Sequence, residues 1–392
     1  MSDHAIAEPA SQRAPSRESA PTATSRRKLS AQLDAIQALR ALAAVLVFAH
    51  HLLLEILIQN ASPTPALLAL YPVALGGVHL FFVISGFLIV YTTRNTFGAP
   101  RASFEFMYRR VARIAPLYIL FTALFVAAAI AAGAVVNNNQ ISAADMIRSL
   151  LFIPYPGAEG NFHPVFGVGW TINYDMFLYI IFAPFLFLER SVALPAFCAT
   201  VLCLFLAGVF LAPEHGAVWF WTRPIILEML AGAALGWAFV ERKFTLPGWA
   251  CGTLLTMGVA WWLFAWGSTP DTVDELHRYD SQFAYLQRGL PSVLILAGLT
   301  LTPRSERSPL RETRFGRTLL AIGDRSYSLS MSHMFMLRAL TIVLPAGALG
   351  TLHVPVYLGA AMLLIIPTTM LTYHILEKPI DQLTRPARRP TA

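Results

Sequence analysis

Charge and cysteine are what this chain has least of. Of its 392 residues only 13% are Asp, Glu, Lys or Arg, while 56% are hydrophobic; ordinary soluble domains carry roughly 25% charged residues. That scarcity excludes a soluble globular protein of usual composition and places the chain in a bilayer. The three cysteines, Cys198, Cys203 and Cys251, all sit inside apolar runs. With no His or Cys at ligand spacing around them, a disulfide framework and a metal site are excluded, and they read as small core residues. There is no glycine-rich phosphate loop, dinucleotide fingerprint, zinc-protease helix or nucleophile elbow, and no tandem repeat. The first thirty or so residues are rich in Ser, Ala, Pro and Arg but lack the apolar core of a secretory signal, so they are expected to be a disordered tail.

What the chain does have is long apolar runs separated by short polar breaks. Stretches able to cross a ~30 Å hydrocarbon layer run Ile36–Ile58, Leu75–Tyr91, Pro116–Val136, Trp170–Leu188, Val192–Leu211, Ile225–Val240, Pro247–Trp266, Gly289–Leu301, Leu319–Leu344 and Val354–Leu376. The expected fold is therefore all-α, a polytopic transmembrane bundle of about ten spans. Its parts are a cytoplasmic tail over 1–32, a membrane domain over 33–380 and a basic cytoplasmic tail over 381–392. With Arg26, Arg27 and Lys28 inside, every second loop is basic: Arg94 to Arg113, Arg242 with Lys243, Arg304 to Arg317, and Lys378 to Arg389. The opposite loops hold Asp271, Asp274, Glu275 and Asp280 among a few arginines. This asymmetry places both termini in the cytoplasm and accounts for the net charge of +7 without nucleic-acid binding.

Ionisable residues inside spans are costly and few, so they mark candidate chemistry. The first span carries Arg40, His50, His51 and Glu55. At ~100° per residue Arg40 and His51 nearly eclipse one another, about 16 Å apart along the axis, whereas His50 is turned aside by ~80°. Arg40, His51 and Glu55 can share one polar stripe. His333 lies deep in a later span. Gly232 and Gly236 form a small-residue pair suited to close helix packing, and Glu377 beside Lys378 reads as a structural ion pair or cap.

These residues also carry a resemblance. The stretch IQALRALAAVLVFAHHLL, with Arg40 and His51 separated by ten residues, resembles the first helix of the membrane-bound acyltransferase 3 family. GVHLFFVISGFLI (Gly77–Ile89), YRRVARIAPLY (Tyr108–Tyr118), GVGWTINYDMFLY (Gly167–Tyr179), IGDRSYSLSMSH (Ile322–His333) and YHILEKP (Tyr373–Pro379) follow in family order. Gln37 and the WTINY motif are most similar to its exopolysaccharide O-acetyltransferase branch. The chain departs from the family pattern at His79, where an Asp is usual, at Asp175, often a Glu, and at Ser330-Met331-Ser332, where the family has a Tyr-Leu pair before the His.

The resemblance implies a multi-pass protein of the bacterial inner membrane that moves an acyl group, acetyl above all, from coenzyme A to a hydroxyl of a surface or secreted carbohydrate or its lipid-linked precursor. It implies no tightly bound cofactor and no metal; the partners are the bilayer, the acyl-CoA and the carbohydrate. His51 is the candidate catalytic group, as general base or as covalent acyl carrier, with Arg40 holding the thioester, a phosphate or developing negative charge. Arg109, Arg110 and Arg113, at helical spacing, suit the phosphates of coenzyme A. Glu55 or Asp175 is expected to orient the His51 imidazole. His79, Ser85, Trp170, Tyr327 and His333 complete the supporting set. A polytopic secondary transporter and an acyltransferase with a non-carbohydrate acceptor are the alternatives, although no paired broken helices of the transporter kind stand out.

Overall fold

The computed structural model describes residues 23–59, 65–131, 141–157, 162–211, 216–241, 245–264, 285–303 and 308–384. The tail over 1–22, the Arg242–Lys243 loop, the acidic loop from Asp271 to Asp280 and the terminal segment from 385 lie outside these residues. The described residues form helices joined by turns and loops, with no strand among them. In order come α1 (Ala23–Gln59), α2 (Pro65–Thr93), α3 (Ala102–Ala131), α4 (Ala143–Leu150), α5 (Trp170–Phe182), α6 (Arg190–Leu211), α7 (Gly216–Trp221), α8 (Ile226–Glu241) and α9 (Gly248–Phe264). Then follow α10 (Leu290–Thr300), α11 (Pro309–Glu312), α12 (Arg314–Asp324), α13 (Ser326–Val343), α14 (His353–Thr372) and α15 (Lys378–Thr384). The first of them reaches back into the segment expected to be a tail.

As far as the described residues reach, each of the ten apolar stretches lies mainly on helix. Among the described residues, 6 helical segments are long and apolar enough to cross a membrane: Gln32–Gln59, Val73–Thr93, Ala102–Ala131, Gly167–Phe187, Arg190–Leu211 and Gly350–Thr384. The remainder are shorter, with 16 residues in α8, 17 in α9 and 11 in α10. The stretch Leu319–Leu344 differs most from its expectation, because it is two helices broken at Arg325. The break falls at a tight contact between helices. Gly323 lies so close to α1 that a Cβ there would fall 2.2 Å from the Gln37 carbonyl oxygen, and α12 ends beside it, its basic, amphipathic sequence unlike a span.

Helix α2 is the centre of the bundle: 72% of its apolar window is buried within the protein, against 22% for α6. The outer helices show large apolar side chains, among them Phe210, Leu211 and Leu363, as lipid-facing helices must when the solvent is hydrocarbon. The seam between α2 and α8 is built from glycine. A Cβ at Gly86 would stand 1.9 Å from the Met229 carbonyl oxygen, and one at Gly232 would stand 2.0 Å from that of Val83. Backbone touches backbone here, the small-residue packing expected around Gly232 and Gly236. Beside the seam His79 on α2 meets Glu228 on α8, Nδ1 to Oε1 at 2.7 Å, both buried.

Candidate functional site

A cavity of about 190 Å³ opens among α1, α2, α3, α5 and α13. Helix α1 contributes Arg40, Val47 and His51, spaced by seven and four residues and so on one stripe. On α13 the same rule brings Ser326, Ser330 and His333 to the cavity, with Tyr327 beside them. Ser85 comes from α2, Arg110 and Arg113 from the start of α3, and Trp170, Asp175 and Tyr179 from α5. Nine of the residues singled out from sequence thus meet in one place: Arg40, His51, Ser85, Arg110, Arg113, Trp170, Asp175, Tyr327 and His333.

The arginines occupy the end of the cavity nearer the α1 N-terminus. Arg40 donates to Gln37 Oε1 at 3.1 Å and to Ser326 Oγ at 2.9 Å, and Gln37 in turn donates to Asp324 at 2.6 Å. Arg110 donates to Thr92 Oγ1 at 2.8 Å and lies over the Tyr179 ring at 4.9 Å and the Phe106 ring at 5.4 Å. That packing fixes its planar guanidinium and leaves donors for an anion. In the wall, Ser85 donates to Asp175 Oδ1 at 2.5 Å and Tyr327 donates to the Ile114 carbonyl at 2.7 Å. Trp170 packs its ring near Phe82 and Tyr174.

His51 sits about three turns along α1 from Arg40. Its Nδ1 lies 2.9 Å from the Val47 carbonyl oxygen and 3.2 Å from His333 Nε2, while His333 Nδ1 lies 3.0 Å from the Leu329 carbonyl oxygen. Neither carboxylate expected to orient His51 makes these bonds. Glu55 is turned to α13, where it meets Arg338 at 3.1 Å and Thr341 at 3.4 Å, and Asp175 is held by Ser85. Two further expected residues lie away from the cavity lining. Arg109 points outward to Glu105 at 2.8 Å, both side chains about half exposed (55% and 52%), and His79 is engaged by Glu228. His50 is buried against Tyr71, ring centroids 4.7 Å apart, and also lies outside the lining.

Glu377, read from sequence as a structural ion pair or cap, is a cap, on the N-terminus of α13. A π-helical turn over Tyr373–Glu377 delivers its carboxylate to the first turn of α13, where the Ser328 backbone N–H donates at 3.1 Å and the Ser328 hydroxyl donates as well. A carboxylate at a helix N-terminus satisfies otherwise unpaired donors and opposes the helix dipole. The helix so anchored is the one that carries Tyr327 and His333. Ser326 was missed and Ser330 was noted only as a departure from the family pattern, although their spacing from His333 was a readable signal. Among the described residues no cluster of His, Cys, Asp and Glu is arranged to hold a metal.

Chemically, the cavity offers cations at one end, an imidazole at the other and a mostly apolar wall with isolated hydroxyls between, a combination suited to a long ligand with an anionic head and a reactive tail. Residues 33–373 match the family described as an acyltransferase domain. The exopolysaccharide production protein ExoZ of Rhizobium meliloti (strain 1021) is 31% identical over 326 residues, which cover 82% of this chain and 94% of that protein. No solved structure matches the chain.

Proposed function

Because the chain belongs to the membrane-bound acyltransferase 3 family, on its exopolysaccharide side, we propose that this multi-pass acyltransferase moves an acetyl group from acetyl-CoA to a hydroxyl of an exopolysaccharide or its lipid-linked precursor. The observation that carries the reading is the polarity of one cavity, with Arg40, Arg110 and Arg113 at one end and His51 at the other. Arg40 and His51 are separated by eleven residues of one helix, about 16 Å of rise, a length comparable with an extended pantetheine arm. The phosphates of coenzyme A lie on the arginines and the thioester reaches His51. His51 takes the acceptor hydroxyl proton, the oxygen attacks the thioester carbonyl, the C–S bond breaks, and the proton passes to the departing thiolate to give the free thiol. The test is direct. Purified protein in lipid should release free thiol from acetyl-CoA only when the host polysaccharide is supplied, and that polysaccharide should lose its acetyl esters when the gene is removed. Thiol release with a non-carbohydrate acceptor alone would overturn the assignment of substrate.

The reading requires that the arginines face the coenzyme A pool. Ten spans of the inner membrane with both termini cytoplasmic are assigned, with α13 alone as the crossing segment of the stretch Leu319–Leu344, supported by the alternation of basic loops. Reporter fusions after Ile58, after Arg101 and at the C-terminus should read outside, inside and inside. A periplasmic signal at Arg101 would remove the coenzyme A assignment.

Loss of the two cavity-lining arginines should be felt in donor binding. A charged hydrogen bond contributes about 1.5–3 kcal/mol, so Arg110→Ala with Arg113→Ala should weaken coenzyme A binding by at least tenfold in a calorimetric titration. Arg109→Ala, whose side chain faces away, should leave it unchanged. Equal affinities in the two variants would return all three residues to the ordinary basic character of a cytoplasmic boundary.

A further inference from the structure

The hydrogen positions on two histidines follow from what their partners can accept. The Leu329 carbonyl oxygen only accepts, so His333 Nδ1, 3.0 Å away, carries a hydrogen, and the neutral ring keeps its lone pair on Nε2. The Val47 carbonyl oxygen also only accepts, so His51 Nδ1, 2.9 Å away, carries a hydrogen as well. That hydrogen is shared with His333 Nε2 at 3.2 Å. One lone pair remains, on His51 Nε2. Reversing either ring would set a lone pair against a carbonyl oxygen or two N–H groups against each other, so the three contacts allow a single arrangement.

From this we infer that His333 is a positioning residue: by accepting the His51 Nδ1–H it fixes that ring's tautomer and orientation and keeps Nε2 as the base. The inference rests on the proposed role of His51 and adds to it the identity of the group behind the base. Other bases of this kind lean on a carboxylate, whereas here the support is a second imidazole and a backbone carbonyl. The two carboxylates that sequence offered are committed elsewhere, Glu55 to Arg338 and Asp175 to Ser85. His333 is fully buried on a helix whose first turn is tied down by Glu377, so its acceptor nitrogen is held in place before substrate arrives. When His51 gains the acceptor proton, the new charge strengthens the bond to His333, and the stabilisation arrives where the reaction generates charge.

The test uses side chains that keep different parts of the imidazole. In H333Q the amide oxygen reaches the Nε2 position and restores the acceptor, whereas H333N reaches only the Nδ1 position and H333L offers neither. Steady-state kinetics in lipid, with membrane abundance and coenzyme A affinity measured beside them, should show kcat falling ~10–100-fold in H333N and H333L, as when an outer partner of a functional histidine is lost. The KM for acetyl-CoA should stay unchanged and H333Q should recover most of the loss. Wild-type kcat in H333N, equal loss in H333Q and H333N, or a rise in KM with kcat intact would each overturn the inference. Turnover in H51A equal to wild type would instead overturn the base assignment beneath it. Should H333L fail to accumulate, the contrast of H333Q with H333N carries the test alone.

Discussion

Replacing His51 by alanine is expected to lower ester formation by roughly 10²–10⁴-fold, the range that general-base catalysis commonly contributes, with the protein inserted at its normal level. The expectation rests on position. His51 lines the cavity at the end away from the arginines, and its Nδ1 is engaged by Val47 and His333, which directs the other ring nitrogen to the substrate. Its neighbour supplies a control of the same chemical type. His50 packs edge-on against His51 at 4.9 Å and against Tyr71, and it does not line the cavity, so His50→Ala should keep most of the activity. Transfer of labelled acetyl from acetyl-CoA to polysaccharide, compared at equal membrane abundance, reads both variants. A larger loss accompanied by an acetylated wild-type enzyme that can be trapped would identify His51 as a covalent carrier. An essential His50 with a dispensable His51 would sink the site as a whole.

The second large effect is on stability. Gly86→Val should leave little folded protein. Its Cβ would stand 1.9 Å from the Met229 carbonyl oxygen, a backbone atom that cannot move aside as a flexible side chain would. The two helices would have to separate along a seam buried on both sides. Overpacking of a core costs about 1–3 kcal/mol by itself, and separation would also pull His79 from Glu228, a buried pair whose disruption costs several kcal/mol more. Together these approach the whole stability of an ordinary domain, about 5–15 kcal/mol. Gly252→Val on α9 is the matched comparison, because nothing lies within 4 Å of a Cβ there. Thermal unfolding in detergent or lipid should separate the two variants widely, and equal stabilities would mean that the α2–α8 contact is not close.

Much of this was readable in the chain because helix geometry is local. The apolar runs marked helices, and eleven residues at ~100° each put Arg40 and His51 on one stripe before any packing was known. What local geometry cannot supply is the neighbour. Glu55 was grouped with His51 from its position one turn on, yet Arg338 on α13 draws it away. Arg109 and Arg110 are adjacent in sequence and ~100° apart on the helix, so Arg110 lines the cavity and Arg109 faces outward. The break at Arg325 was hidden because α12 and α13 are contiguous in sequence, and the close approach of Gly323 to α1 beside it is a tertiary contact that no apolar run displays. The His51–His333 contact joins residues 282 positions apart, a pairing that no periodicity within either helix contains.

The His79–Glu228 pair has a consequence for biosynthesis. Its members are separated by 149 residues, and a ribosome adding ~5–20 residues per second needs on the order of ten seconds to travel from one to the other. Throughout that interval α2 already exists, with a polar ring in a mostly apolar helix, while the helix that will satisfy it is still unmade. The ring must meanwhile be served by water, by lipid headgroups or by the insertion machinery, and α2 cannot settle into its final place until α8 arrives. The helix at the centre of the finished bundle is thus among the first to be synthesised and is completed late, so assembly proceeds inward onto a waiting core rather than outward from a finished one.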